Sequence, residues 1–164
     1  VTVTPEDFPS GDTHAGVQFQ RELEDAAYRL GGGNYAAPAQ RVEDFLKHRP
    51  STGAGKVVPT YLPSVRWCDL HGCLPPFVCE TLEEGLPMLG RKLRGFDAPD
   101  AVLTAVETRS SSPVRIVRDN LSFQSALRGL YPCGEGAGYA GGIMSAAADG
   151  LRVAEMILEE LNHE

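Results

Sequence analysis

Apolar residues recur at helical spacing from Ala15 to Leu30. Phe19, Leu23, Ala26, Ala27 and Leu30 fall on one face, which predicts a helix over that span. Gly31-Gly32-Gly33 follows at once and predicts its end, because glycine accepts the left-handed conformation of a C-cap. The same glycines with Asn34 could suggest a phosphate loop, but no helix start follows directly, so the cap-and-turn reading is preferred. A short helix is predicted around Gln40 to Lys47, with Val42, Phe45 and Leu46 inward, and a loop over 49–63, where Pro, Ser, Gly and Thr cluster. Thr81-Leu82-Glu83-Glu84 has the spelling of a capping box and predicts a helix start. Pro87 predicts a break or restart soon after, followed by a stripe of Leu86, Leu89 and Leu93 ending in Arg91, Lys92 and Arg94.

The period then changes. Val1-Thr2-Val3 alternates like the end of a strand, stopped by Pro5. Ala101 to Val106 and Val114 to Val117 are β-rich runs separated by a turn with three serines, which predicts a β-hairpin. Gly129-Leu130-Tyr131-Pro132-Cys133 reads as a short buried strand leading into a glycine-rich loop from Gly134 to Gly142. A last helix is predicted from Gly141 or Gly142. Ile143, Ala146, Ala147, Leu151, Ala154, Ile157, Leu158 and Leu161 lie on one face, and Arg152, Glu155, Glu159 and Glu160 on the other. Gly150 falls on the apolar side, which predicts close helix–sheet approach. The fold class is α/β in α+β form, with residues 1–97 as one mixed segment and 98–164 as a second.

Composition narrows the function. A chain of 164 residues is long enough for a real core. Its formal charge of −7 argues against binding nucleic acid or an anionic membrane through overall charge. No apolar run approaches the ~18 residues of a membrane span. The opening Val1 to Asp7 is neither a signal nor a transit peptide and lacks Met, so the chain is expected to be part of a longer one. Cys68, Cys73, Cys79 and Cys133 include no C-x-x-C pair, and free thiols in a reducing, cytoplasmic setting are expected. Three of these thiols with His71 could hold zinc, but the spacing fits no standard finger, and small buried side chains are the preferred reading. Cys133 is likewise expected to be buried. His14, His48, His71 and His163 are scattered and define no catalytic constellation, so no metal site and no catalytic residue is assigned.

The loop carries the chemistry. Gly136-Ala137-Gly138-Tyr139-Ala140-Gly141 spells G-x-G-x-x-G between an apolar run and a helix, an arrangement suited to an anion or nucleotide. The dinucleotide fingerprint requires a second parallel strand ending in an acidic residue about 20 positions on, and only one helix's worth of residues follows. A P-loop fails because no Gly-Lys-Ser/Thr follows. What survives is a late strand–loop–helix that completes a nucleotide site begun elsewhere.

Tyr131 to Ile143, with Ser145-Ala146-Ala147 and Asp149-Gly150, resembles the C-terminal FAD motif of a family of bacterial FAD-dependent dehydrogenases. Pro38 to Val42, Cys73 to Phe77, Val106 to Arg109 and Ser111 to Ile116 resemble the later half of the same family. The resemblance implies that residues 1–97 belong mostly to an inserted α+β domain and 98–164 to the last segment of a Rossmann-like FAD domain. That family's N-terminal βαβ unit, which holds the ADP half of FAD, has no counterpart in these residues.

By the same resemblance Glu135, after Gly134, lies near the ribityl or phosphate region of FAD. Gly136, Gly138, Tyr139, Ala140, Gly141, Gly142 and Ile143 would bring backbone N–H groups to the flavin's pyrimidine edge. Arg109 and Arg115 could meet a flavin edge, a phosphate or an anionic substrate, or could be surface arginines beside a hairpin. The reaction class implied is hydride or electron transfer between FAD and an unknown partner. This chain alone is expected to be inactive, to hold FAD weakly or not at all, and to self-associate through exposed edges. The alternative is a non-catalytic folding, dimerisation or scaffold module.

Overall fold

In a computed structural model of the chain, residues 1–8 and 11–162 are described; His163 lies outside them. The chain is a mixed α+β structure. Its elements are α1 (Ala15–Leu30), β1 (Ala37–Arg41), α2 (Val42–Leu46), β2 (Val65–Trp67), α3 (Pro76–Gly90), β3 (Val102–Thr104) and α4 (Ile143–Asn162), with 3-10 turns at Pro5–Asp7 and Leu70–Gly72. They divide into two compact units. The first holds Val1–Asp7 and Phe19–Thr108, and the second holds the described residues of Phe8–Gln18 and Arg109–Glu164, so the division falls inside α1.

The first unit is built on a three-stranded sheet of order β2-β1-β3. β1 pairs parallel with β2, Pro38 opposite Arg66, and antiparallel with β3, Gln40 opposite Leu103. Pro38 has no N–H, yet it serves in the central strand through its carbonyl, which accepts the Ala105 N–H at 3.0 Å. Ala27, Val42, Phe45, Leu70, Cys73, Cys79 and Leu86 form the core, with Leu30, Leu46, Cys68 and Leu103 packed around it.

A polar network fixes the chain around α2. The Gln40 side chain is buried and joins three segments: Nε2 donates to the Arg49 carbonyl at 2.8 Å, and Oε1 accepts from the Leu70 N–H at 2.8 Å. The buried Asp44 carboxylate accepts from Ser51 Oγ, Arg41 Nε and Arg49 Nε at 2.7, 2.8 and 2.6 Å. Burial alone would push the Asp44 carboxyl up, but Ser51 and the two guanidiniums hold it below its ordinary value.

α1 spans the residues the periodicity predicts. Its glycine cap is also observed: Gly32 and Gly33 have φ of +100° and +71°, and the Gly33 N–H closes on the Tyr28 carbonyl at 2.9 Å. A Cβ on Gly31 would lie 2.0 Å from the Ala36 carbonyl oxygen, so only glycine fits where the chain turns into β1. α2 is shorter than predicted because Gln40 and Arg41 belong to β1.

Several expectations are corrected. Val1-Thr2-Val3 forms no strand and leads into a 3-10 turn. α3 begins at Pro76, its first-turn proline, rather than at Thr81, whose hydroxyl instead donates to the Phe77 carbonyl one turn back at 2.7 Å. Pro87 breaks nothing, because it lies in the last turn of a helix that runs to Gly90. Leu86 is buried, whereas Leu89 and Leu93 are exposed.

The hairpin does not form. β3 pairs with β1, and Val114 to Val117 is not a strand; nearby there is only an isolated bridge between Arg118 and Ser125. Gly129 to Cys133 is irregular chain with Pro132 buried and Leu130 and Cys133 exposed, so neither the expected strand nor the expected burial of Cys133 is found. α4 begins at Ile143, one or two residues after the predicted start, following an irregular Gly134 to Gly142. Its less exposed side is Ala146, Asp149, Val153, Met156 and Ile157, while Ile143, Leu151, Leu158 and Leu161 of the predicted inner face are exposed. A Cβ on Gly150 would meet nothing within 4 Å, so the close approach expected there is not found. No helix of the described residues is long and apolar enough to cross a membrane.

Candidate functional site

The glycine loop lies in the second unit and is held by hydrogen bonds at several points. Gly134 has φ +70°, and its N–H donates to Asp149 Oδ2 at 2.9 Å, tying the loop's start to the second turn of α4. The Glu135 carbonyl accepts the Gly138 N–H at 2.9 Å and the Gly134 carbonyl accepts the Tyr139 N–H at 3.1 Å, which curls the loop into consecutive turns. The Gly136 carbonyl accepts from Ser112 Oγ at 3.3 Å, the Ala137 carbonyl from the Ile116 N–H at 3.2 Å and the Gly138 carbonyl from Arg115 Nε at 2.8 Å. Gly138 has φ +82°, and a Cβ there would lie 2.7 Å from the Val114 carbonyl oxygen, so this position is closed to any other residue.

Arg118 is the centre of this arrangement. Both of its terminal nitrogens donate to the Asp149 carboxylate, at 2.9 and 2.7 Å, and one also donates to the Pro132 carbonyl at 2.7 Å. Its guanidinium carbon sits 3.8 Å from the centre of the Tyr139 ring and 4.7 Å from that of Phe123. Tyr139 adds a donated hydrogen bond from its hydroxyl to the Ile116 carbonyl and an accepted one from the Arg118 N–H. The Arg118 guanidinium, ahead of the Gly134 N–H, holds the Asp149 carboxyl below its ordinary value. Sequence reading names Asp149 only as part of a motif and does not single out Arg118. The pair is 31 residues apart, and no spacing signal connects them.

Beyond Tyr139 the loop opens. Ala140 is half-buried, and Gly141, Gly142 and Ile143 are exposed. The Gly142 N–H donates to Ser145 Oγ at 3.2 Å, a capping contact at the start of α4. A Cβ on Gly136 would meet nothing within 4 Å, and one on Gly142 would meet only Ser145 Oγ, at 3.3 Å. Neither has positive φ, so the fold itself does not require glycine at these two exposed positions. Glu135 is exposed at the rim. Of the two arginines singled out from sequence, Arg115 is at the loop, 5.0 Å from the Tyr139 ring centre, and Arg109 is exposed on the preceding segment.

The first unit brings together a second set of groups that spacing does not connect. The His71 ring lies between two carboxylates, Nδ1 2.6 Å from Asp69 Oδ1 and Nε2 3.0 Å from Glu83 Oε1. His48 Nε2 is 3.4 Å from the same Glu83 oxygen, and the two imidazoles stack with centres 4.6 Å apart. Desolvation lowers the His71 pKa, but Glu83 and Asp69 outweigh it and raise the pKa overall. The thiols take no part. Cys73 and Cys79 are core side chains, and burial, with Cys68 and Cys79 adjacent, pushes the Cys73 thiol up to about 12.

Comparison with known proteins bears on the whole chain. An uncharacterised protein of Clostridium beijerinckii is 50% identical over 163 residues, 99% of this chain and 30% of the relative, so the chain spans about 30% of that protein's length. The family model described as FAD-dependent protein, C-terminal domain-like, matches residues 1–110, which take in the whole sheet and stop short of the glycine loop. By that match the chain belongs to the FAD-dependent protein, C-terminal domain-like family.

Proposed function

We propose that this chain supplies the flavin-side contacts of an FAD-dependent oxidoreductase, through the loop from Gly134 to Ile143. The observation that carries the reading is the loop's division into a fixed half and an open half. Gly134 to Tyr139 is pinned by Arg118, Asp149, Arg115 and Ser112. Gly141, Gly142 and Ile143 then present exposed backbone at the N-terminus of a 20-residue helix. Glycine at Gly136 and Gly142 meets no packing need of the fold and leaves room for a planar ring to approach the backbone.

These residues fit FAD. The exposed N-terminal end of α4 offers backbone donors and partial positive charge to the pyrimidine edge, and Glu135 offers a carboxylate acceptor for a ribityl hydroxyl. Bound FAD would supply hydride or electron transfer. A helix N-terminus beside the ring's N1 edge favours the reduced, more negative form and raises the potential. The inserted-domain role of residues 1–97, the Rossmann-like role of 98–164, and an ADP-binding unit elsewhere in the longer protein are part of this proposal and rest on the resemblance.

A second reading, a docking or dimerisation module, is favoured by one observation. Ile143, Met144, Leu151, Leu158 and Leu161 form a largely exposed apolar stripe on α4. The flavin content of the full-length protein separates the two. A colourless full-length protein that takes up no added FAD supports the module, whereas a flavin absorption band that is lost on substituting the loop supports the cofactor role.

A further inference from the structure

We propose that His48, His71 and Glu83 form a binding site for a divalent transition-metal ion, zinc above the others, with Asp69 as the outer carboxylate that orients His71. The three inner groups come from three elements. His48 follows α2, His71 lies in the Leu70–Gly72 turn and Glu83 is on α3. Among the described residues they are the set of His, Cys, Asp and Glu whose ligand atoms all lie within 4.8 Å of one another.

The spacing fits a small tetrahedral ion. Metal–ligand distances of about 2.0–2.1 Å imply ligand–ligand edges of about 3.3–3.4 Å. The Glu83 oxygen is 3.4 Å from His48 Nε2 and 3.0 Å from His71 Nε2, and the three ligand atoms lie within 4.8 Å of one another, so an ion would be taken up as the two rings turn from Glu83 toward a shared position. Two imidazoles and a carboxylate suit zinc and leave a fourth position for water, and the His48 side chain is exposed to solvent.

The surroundings are those of a prepared site. Asp69 Oδ1 accepts from His71 Nδ1 and from the His71 backbone N–H at 3.1 Å, and Gln40 Nε2 reaches the same oxygen at 3.4 Å. A carboxylate on Nδ1 directs the Nε2 lone pair of a metal-ligating histidine toward its ion. The His71 ring is also stacked on the buried Phe45, with centres 4.5 Å apart. His48 holds a backbone φ of +50°, a conformation few non-glycine residues adopt, at the end of α2 where glycine is the usual choice.

The test is titration of the purified chain with zinc alone, against a chromophoric competitor, with magnesium as the oxygen-preferring control. One zinc per chain is expected, with a rise in Tm of about 5 °C at saturating metal. His48→Ala and Glu83→Gln should each weaken binding at least ~10-fold, and Asp69→Asn about 10-fold. His14→Ala and Cys133→Ser should leave it unchanged. Because His48 is exposed, His48→Ala keeps the fold even if a His71 variant does not. X-ray absorption of the zinc-loaded chain should show nitrogen and oxygen neighbours with imidazole scattering. No saturable binding by about 100 µM zinc, unchanged affinity in His48→Ala and Glu83→Gln, or sulfur in the metal's coordination sphere would each overturn the proposal.

Discussion

Arg118 and Asp149 make a two-pronged ion pair, with side chains only 6% and 12% exposed, that fastens the start of the glycine loop to α4. The pair is satisfied on all sides. Asp149 also takes the Gly134 N–H, and Arg118 also gives to the Pro132 carbonyl. Removing one partner leaves the other charged and poorly solvated. Asp149→Ala should therefore cost about 3–5 kcal/mol in urea unfolding of the second unit. A loss below ~1 kcal/mol would show that the pair behaves like a surface salt bridge.

The same pair gives the acid limb a sign. The folded-state pKa of Asp149 is lowered, so its contribution is fully present above the ordinary carboxylate value of about 3.9 and is lost as pH falls through the folded value. Stability should fall steeply on acidification below about pH 4. Asp149→Asn should flatten that limb, as read from Tm against pH. Parallel curves for the two proteins would remove Asp149 from the account.

Two glycines of one motif should respond unequally. Gly138→Ala forces a Cβ to 2.7 Å from a carbonyl oxygen at φ +82° and should destabilise by about 2 kcal/mol or more. Gly136→Ala meets nothing within 4 Å and should change stability by less than ~0.5 kcal/mol. Denaturant midpoints of the pair decide it, and equal shifts would contradict the loop geometry.

In the first unit, Asp44→Ala strips a buried carboxylate from Ser51, Arg41 and Arg49; the two arginines left behind reach solvent, so the cost should be about 1.5–3 kcal/mol. Hydrogen exchange should show the loss of protection centred on α2 and β1. Unchanged protection there would count against the network.

Legibility followed locality. α1 could be read because its apolar face and its glycine cap are both local signals, and Phe45 and Val42 were visible as inward residues for the same reason. β1 could not be read. Ala37-Pro38-Ala39-Gln40-Arg41 holds no β-branched residue and includes a proline, and it is a strand only because β2 and β3 pair with it on both sides. Val114 to Val117 shows the converse, since high β-propensity without a partner edge leaves irregular chain. Thr81-Leu82-Glu83-Glu84 imitated a capping box, while the actual start was written in Pro75-Pro76. At the candidate site the glycines were legible as a pattern. The Arg118–Asp149 clasp and the His48–Glu83–His71 cluster were not, because they join residues that only tertiary folding brings together.

The proposed cofactor role places the flavin side of FAD at the exposed end of the glycine loop. It is tested by the FAD-to-protein ratio of the purified full-length protein carrying Gly142→Leu, where a Cβ meets only Ser145 Oγ at 3.3 Å, beside Gly53→Leu, a control in the first unit where a Cβ meets nothing within 4 Å. Gly142→Leu should lower FAD occupancy at fixed free FAD by at least ~10-fold, about 1.4 kcal/mol, with the fold intact by circular dichroism. Gly53→Leu should retain the unsubstituted ratio. Full flavin content in the Gly142→Leu protein would contradict the account.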